Sequence, residues 1–307
     1  MKKINNVLLC GLGAIGSIYA VKISQYKDAR LSVLVDEARL IRYKSSPLVF
    51  NGQEYAFNYI TKDNSYIADL IIIATKNNQL HSVIDSINNF VGRDTIILSL
   101  LNGLKSEDIL STVFGKDKVL YSYYIGHTST RIGRNVVHDD VYKTVFGESY
   151  NSKYSNNVLA VRNFFDSANI KYEIPVDMDY SRWWKFLVNV GYNQASAVLN
   201  ASYGDFQKSE AVNDIAINLM KEAADVAKAV GVKNTDKLIP EVLKVIATML
   251  PETRTSMLQD IDAKRQTEVD VFAGYVSELG KKYGINTPYN DMFFKIIKAM
   301  DDKNSKK

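Results

Sequence analysis

Short apolar runs alternate with amphipathic segments along the first half of the chain. NNVLLC (5–10), ARLSVLV (29–35), ADLIIIAT (68–75), DTIILSLL (94–101) and KVLYSYY (118–124) are dense in aliphatic and aromatic residues and read as strands. Between them SIYAVKISQY (17–26), EARLIRYKS (37–45) and NQLHSVIDSINNF (78–90) space their apolar residues as helices do. Strands apolar on both faces and separated by helices predict a parallel sheet covered on both sides. From about residue 178 the strand pattern gives way to long helical ones, such as AVNDIAINLMKEAADVAKAV (211–230) and QTEVDVFAGYVSELGKKYG (266–284). The chain is therefore predicted to carry an α/β domain over residues 1–176 and an all-α domain over 177–307. The boundary falls in YEIPVDMDYSRWW (172–184), where a proline and a polar cluster precede a helix.

One helical stretch interrupts its own apolar pattern. WWKFLVNVGYNQ (183–194) sets Lys185 and three side-chain amides among aromatic and aliphatic residues. At about 100° per residue, Lys185, Asn189 and Asn193 lie on nearly one face and drift only about 40° per step. A polar ridge between apolar walls suits the floor of a site. The alternative is that Lys185 reaches out to water while the asparagines bond neighbouring helices.

GLGAIG (11–16) follows the first apolar run directly and opens a helical pattern. Gly11, Gly13 and Gly16 in that context permit a tight turn, close approach of backbone to a pyrophosphate, and close packing of helix on strand. Leu12, Ala14 and Ile15 complete the loop, and Asp36 lies 20 positions after Gly16 at the end of the second strand. A Rossmann-type dinucleotide-binding domain is the expectation. Two further loops should reach the same crevice, beyond the carboxyl ends of later strands. One carries Lys76 and the next carries Asn102 and Gly103. Lys76 can equally be a solvated lysine opening a helix, and Asn102–Gly103 a plain turn pair.

The segment TSMLQDIDAKRQTEVD (255–270) is the other dense polar stretch. Ser256 and Glu268 would stand about 120° apart on one continuous helix, and so share a face only if Ser256 precedes that helix. The plainer account is a solvated face with charge pairs such as Asp260 with Lys264.

Composition narrows the class further. A chain of 307 residues with 46% hydrophobic content can bury a sizeable core. The net charge of +4 is weak, and basic residues are dispersed apart from the tail KNSKK, so neither nucleic acid nor an anionic membrane is an expected partner. One cysteine, Cys10, excludes an internal disulfide framework and a CxxC metal site, which fits a reducing cytoplasm. No metal is expected. MKK before an apolar run resembles a signal peptide, but three glycines interrupt that run, and no other stretch approaches the roughly 18 apolar residues that span a bilayer.

In their order, GLGAIG, ATKNNQ, LLNG, WWKFLVNVGYNQ and TSMLQDIDAKRQTEVD resemble the ketopantoate reductase (2-dehydropantoate 2-reductase) family over essentially the whole chain. That resemblance implies a dinucleotide-binding N-terminal domain, a helical C-terminal domain, and an active site in the cleft between them. It matches the family's catalytic lysine to Lys185, its two following asparagines to Asn189 and Asn193, and its substrate-binding serine and glutamate to Ser256 and Glu268. The cofactor-site lysine and asparagine match Lys76 and Asn102. Chemically, the set is apt for reducing a 2-oxo acid. An ammonium at Lys185 stabilises and protonates the oxygen that gains charge as hydride arrives, and burial beside aromatics lowers its pKa toward a useful range. Asn189, Asn193 and Ser256 bond substrate oxygens without adding charge. Glu268 either accepts a bond from the hydroxyl product or orients Lys185.

The chain departs from the family after the second strand. Many members carry a basic residue there, suited to the extra phosphate of NADPH, whereas SVLVDEARLIRY has Asp36 and Glu37, with Arg39 and Arg42 following. Asp36 favours NADH against the family's NADPH, or caps the next helix, or does both. The leading expectation is a reductase of ketopantoate. A second is NADH-linked reduction of branched or aromatic 2-oxo acids to D-2-hydroxy acids. A non-catalytic dinucleotide-binding protein is disfavoured by the intact lysine, asparagine, serine and glutamate set. A β-hydroxyacid dehydrogenase is disfavoured by the glycine loop and by TSMLQD. Long apolar faces on the C-terminal helices suggest a homodimer.

Overall fold

Why the early runs become strands is clearest at β1 (Asn6–Cys10), whose side chains alternate between two cores. Val7 and Leu9 join one core and Leu8 and Cys10 the other, all of them buried. The computed structural model describes residues 2–126 and 129–305. The chain divides into two compact units, Met1–Met178 and Asp179–Lys307.

The first unit begins with β1, α1 (Ala14–Gln25), β2 (Arg30–Leu34), α2 (Glu37–Ser45), β3 (Leu48–Phe50), β4 (Gln53–Tyr55) and β5 (Asn58–Ile60). It continues with β6 (Leu70–Ile73), α3 (Leu80–Ile87), β7 (Ile96–Ser99), α4 (Ser106–Phe114) and β8 (Val119–Gly126). Then follow β9 (Ser129–Ile132), β10 (Asn135–His138), β11 (Tyr142–Gly147), α5 (Asn156–Ser167) and β12 (Tyr172–Glu173). The main sheet runs β12-β11-β8-β7-β6-β1-β2-β5, and its stretch from β8 to β5 is parallel throughout. Residues of α1 and α5 cover one face, and residues of α3 and α4 the other. This is the Rossmann-like arrangement expected, with an antiparallel extension: β11 pairs antiparallel with β8. A four-stranded sheet, β4-β3-β10-β9, adds to it. The hydrophobic pattern predicts none of β3–β5 or β9–β12, because most are two to four residues long and all but β3 include a polar or exposed residue.

Every described regular element after β12 is helical: α6 (Met178–Val188), a π turn (Asn189–Asn193), α7 (Gln194–Leu199), α8 (Tyr203–Lys208), α9 (Glu210–Val230), α10 (Leu238–Ile246), α11 (Ser256–Asp262), α12 (Ala273–Tyr283) and α13 (Pro288–Ser305). The second unit's core gathers around α9, where Ala216, Leu219, Met220, Ala223, Val226 and Ala227 are buried. Tyr192 packs edge-on against Phe206 at 4.9 Å, and Phe186 meets Trp183 at 5.4 Å. Among the described residues no helix is long and apolar enough to cross a membrane. Of the tail KNSKK, Lys303 to Ser305 continue α13, and Lys306 and Lys307 lie outside the described residues.

Candidate functional site

In the first unit the glycine turn divides its three glycines between packing and openness. Gly11 adopts φ +97, and a Cβ there would lie 2.6 Å from the Ala74 carbonyl oxygen. A Cβ on Gly16 would fall 2.0 Å from the Gly11 carbonyl oxygen. Around Gly13, by contrast, a Cβ would meet nothing within 4 Å. The first two seat α1 against β1 and β6, whereas Gly13 leaves space at the start of α1. That helix has no acidic residue in its first turn and no side-chain cap. Its first intrahelical bond is Ser17 N to Gly13 O at 3.0 Å, so the preceding N–H groups have no helical acceptor. A phosphate fits such a place in both shape and charge.

The loops after β6 and β7 adjoin this turn and each other. Ala74 N donates to Cys10 O at 2.8 Å, holding the ATK loop beside the glycine turn. Lys76 is exposed at the head of the short 3-10 turn Asn77–Gln79. Asn77 Nδ2 donates to Asn102 O at 3.0 Å, tying the two loops together. Asp36 is the N-cap of α2: its Oδ1 accepts from Arg39 N at 2.7 Å and its Oδ2 from Arg39 Nη1 at 2.9 Å. The carboxylate stays exposed, and the Arg42 guanidinium lies 5.1 Å from the centre of the Tyr43 ring.

In the second unit, Lys185 sits near the end of α6, half-buried beside the fully buried Phe186 and Leu187. Burial lowers its pKa from the usual lysine range to about 8. Just beyond it the helix widens into the π turn, so the spacing of about 100° per residue fails there. A π turn holds more residues per turn than an α-helix. It therefore offsets the drift of positions four apart and brings Asn189 and Asn193 together. Asn193 Nδ2 donates to Asn189 Oδ1 at 3.3 Å and to Ser256 Oγ at 3.2 Å. Both asparagines are buried, whereas Ser256 is exposed. The asparagines thus bond each other and the serine.

The TSMLQD segment resolves differently from either sequence account. Thr255 caps α11 by accepting from Leu258 N at 3.3 Å, which makes Ser256 the first helical residue. The helix ends at Asp262, so Ser256 and Glu268 do not share one continuous helix. Glu268 is half-buried at the head of a 3-10 turn, Val269–Val271. The preceding Thr267 is anchored through Oγ1 to Asp301 Oδ2 at 2.8 Å. The anticipated Asp260–Lys264 pair does not form. Asp260 is buried and pairs with Arg265 at 2.8 Å, because Lys264 takes φ 52 and turns the chain back. Sequence reading also passed over Asp301, Glu222 and Asn290. Asp301 and Asn290 each follow an apolar stretch of α13 or open it, which gives no local sign that they are buried.

Two sequence profiles match the chain: "Ketopantoate reductase PanE/ApbA" over residues 7–151, and its C-terminal counterpart over residues 177–301. The 2-dehydropantoate 2-reductase of Nostoc sp. is 26% identical, with 96% of this chain and 95% of that protein covered. Among solved structures, the ternary complex of D-mandelate dehydrogenase with NADH and anilino(oxo)acetate has a TM-score of 0.86 at 22% identity, covering 98% of this chain and 99% of that one. Dimeric ketopantoate reductase from Staphylococcus aureus has a TM-score of 0.78 at 20% identity, covering 97% and 99%. These structural likenesses establish the fold. With both profiles matched in order over most of its length, the chain belongs to the ketopantoate reductase family.

Proposed function

We propose that the chain reduces the ketone of a 2-oxo acid with a nicotinamide cofactor, and that its substrate is 2-dehydropantoate, reduced to pantoate. The observation that carries this reading is in the second unit. A half-buried lysine with a pKa lowered to about 8 stands one helical turn before the linked Asn189, Asn193 and Ser256 groups, in a chain of this family. The bound nicotinamide supplies the hydride. As the carbonyl carbon accepts it, the π pair of the C=O bond moves to oxygen, and Lys185 Nζ gives its proton there. Asn189, Asn193 and Ser256 hold the substrate's oxygens, and Glu268 receives the product hydroxyl or orients Lys185. Gly11, Leu12, Gly13, Ala14, Ile15 and Gly16 cradle the pyrophosphate, with Lys76 and Asn102 near the reactive end of the cofactor. A cytoplasmic homodimer completes the reading.

A second reading is supported by Asp36. A carboxylate at the end of β2 can accept bonds from ribose hydroxyls and disfavours a phosphate, which favours NADH and, with it, a D-2-hydroxyacid dehydrogenase acting on branched or aromatic 2-oxo acids. The D-mandelate dehydrogenase fold likeness is compatible with that reading. One experiment separates the two. Initial rates for 2-dehydropantoate and a set of branched and aromatic 2-oxo acids, each with NADH and with NADPH, should give the highest kcat/KM for 2-dehydropantoate. A higher value for a branched or aromatic acid selects the second reading, and no turnover of any 2-oxo acid overturns both.

A further inference from the structure

Gln194, the third amide of WWKFLVNVGYNQ, has no part in the chemistry above, yet it is fully buried. Its two ends are fixed by unlike partners. Ala273 N, at the start of α12, donates to Gln194 Oε1 at 2.9 Å. Gln194 Nε2 donates to the carbonyl oxygen of Val190, inside the π turn, at 2.7 Å, and to Asn290 Oδ1 at 3.4 Å. An N–H on one side and carbonyls on the other leave a single orientation for the amide. Asn290 is locked in turn: its Nδ2 donates to Glu222 Oε2 at 2.8 Å and to Leu219 O at 3.1 Å. Glu222, buried on α9, also accepts from Tyr289 N and Asn290 N in the first turn of α13. The network thus runs from α9 and α13 to a backbone carbonyl of the π turn.

That turn needs support, because π-helical hydrogen bonding is rare and occurs mostly as single turns at functional sites. Packing presses on the same place. At Gly191 a Cβ would lie 2.6 Å from Met220 Cγ and 3.1 Å from Ala216 O, so the turn lies directly against α9. We propose that Gln194 is a positioning residue: its buried amide holds the π turn in the winding that stacks Asn189 on Asn193 and turns Asn193 toward Ser256. This rests on the reading of those three as the substrate-binding groups.

The test replaces Gln194 by methionine, similar in size and apolar, and by glutamate. Crystallography of Gln194→Met should show residues 189–193 rewound and Asn193 withdrawn from Ser256. Its kcat/KM for the 2-oxo acid should fall about 10- to 100-fold through KM, as a small misplacement of binding groups does, with NADH affinity unchanged. Retention of the π turn and of the Asn189–Asn193–Ser256 contacts in that crystal structure overturns the proposal, as does a loss confined to NADH affinity. Gln194→Glu covers the case in which the methionine variant does not fold. It keeps an acceptor for Ala273 N but removes the donor to Val190 O until the introduced carboxyl is protonated. Its KM, taken relative to wild type at each pH, should fall as pH is lowered, and a ratio independent of pH overturns the proposal. A wild type that reduces no 2-oxo acid removes the functional reading, while the crystallographic comparison still decides what Gln194 holds.

Discussion

Lys185 draws its character from where α6 ends. The residue is half-buried, and desolvation makes its ammonium a better acid than that of an exposed lysine. If its protonated form does the work, kcat/KM is flat below a pH of about 8 and falls above it, since the free enzyme then lacks the proton. Lys185→Ala should lower kcat by roughly 10²- to 10⁴-fold and leave cofactor affinity little changed. The same break in the pH profile of that variant would assign it to another group. Asp36 makes a separate prediction. A cofactor phosphate about 5 Å away would be repelled by about 3 kcal/mol at an effective dielectric near 20, before screening. The bond to Arg39 Nη1 offsets part of that. Asp36→Arg should still move the NADPH-to-NADH ratio of kcat/KM by about tenfold or more, the equivalent of ~1.4 kcal/mol. A ratio unmoved by the substitution would leave Asp36 with helix capping alone.

The elements around the glycine turn separate packing from binding. A Cβ at Gly16 would collide with the Gly11 carbonyl oxygen at 2.0 Å, a backbone atom with little freedom to retreat. Gly16→Ala should therefore cost about 1–3 kcal/mol of stability, the usual penalty of overpacking. Gly13 has φ -78 and open space, so Gly13→Ala should leave the melting temperature essentially unchanged while weakening binding of the nicotinamide cofactor. Thermal unfolding and a fluorescence titration with NADH would test both, and equal destabilisation by the two variants would mean that Gly13 also serves packing. Elements that carry their own signals were legible beforehand. Helix α2 spans 37–45 as predicted, because Asp36 caps it and its apolar residues keep helical spacing. The π turn was not, because its winding depends on contacts with α9, α12 and α13.

As a single species in solution the protein is expected to be a dimer. Tyr289 and Met292 on α13, and Leu250 beyond α10, are large apolar side chains left exposed in the single chain. Singly exposed apolar side chains need no partner, so the dimer expectation rests on the apolar faces of the C-terminal helices read in the sequence. Light scattering at micromolar concentration should return about twice the chain mass, and a value near 34.6 kDa would refute it.

Local chemistry suffices for features whose causes lie within a few residues. The short apolar runs determine β1, β2, β6 and β7, the glycine spacing determines the turn before α1, and the helical patterns determine the all-α second unit. The identity of Lys185, Asn189, Asn193 and Ser256 as candidates was legible too, through the order of motifs in the chain. Contacts between distant positions were not. Asn193 meets Ser256 across 63 positions, Gln194 meets Ala273 across 79 and Asn290 across 96. Neither partner carries a local sign of the other, because each bond depends on how helices pack rather than on neighbouring residues. The same holds for Asp260, whose partner became Arg265 once Lys264 took a left-handed conformation, a backbone choice that helical charge spacing does not anticipate.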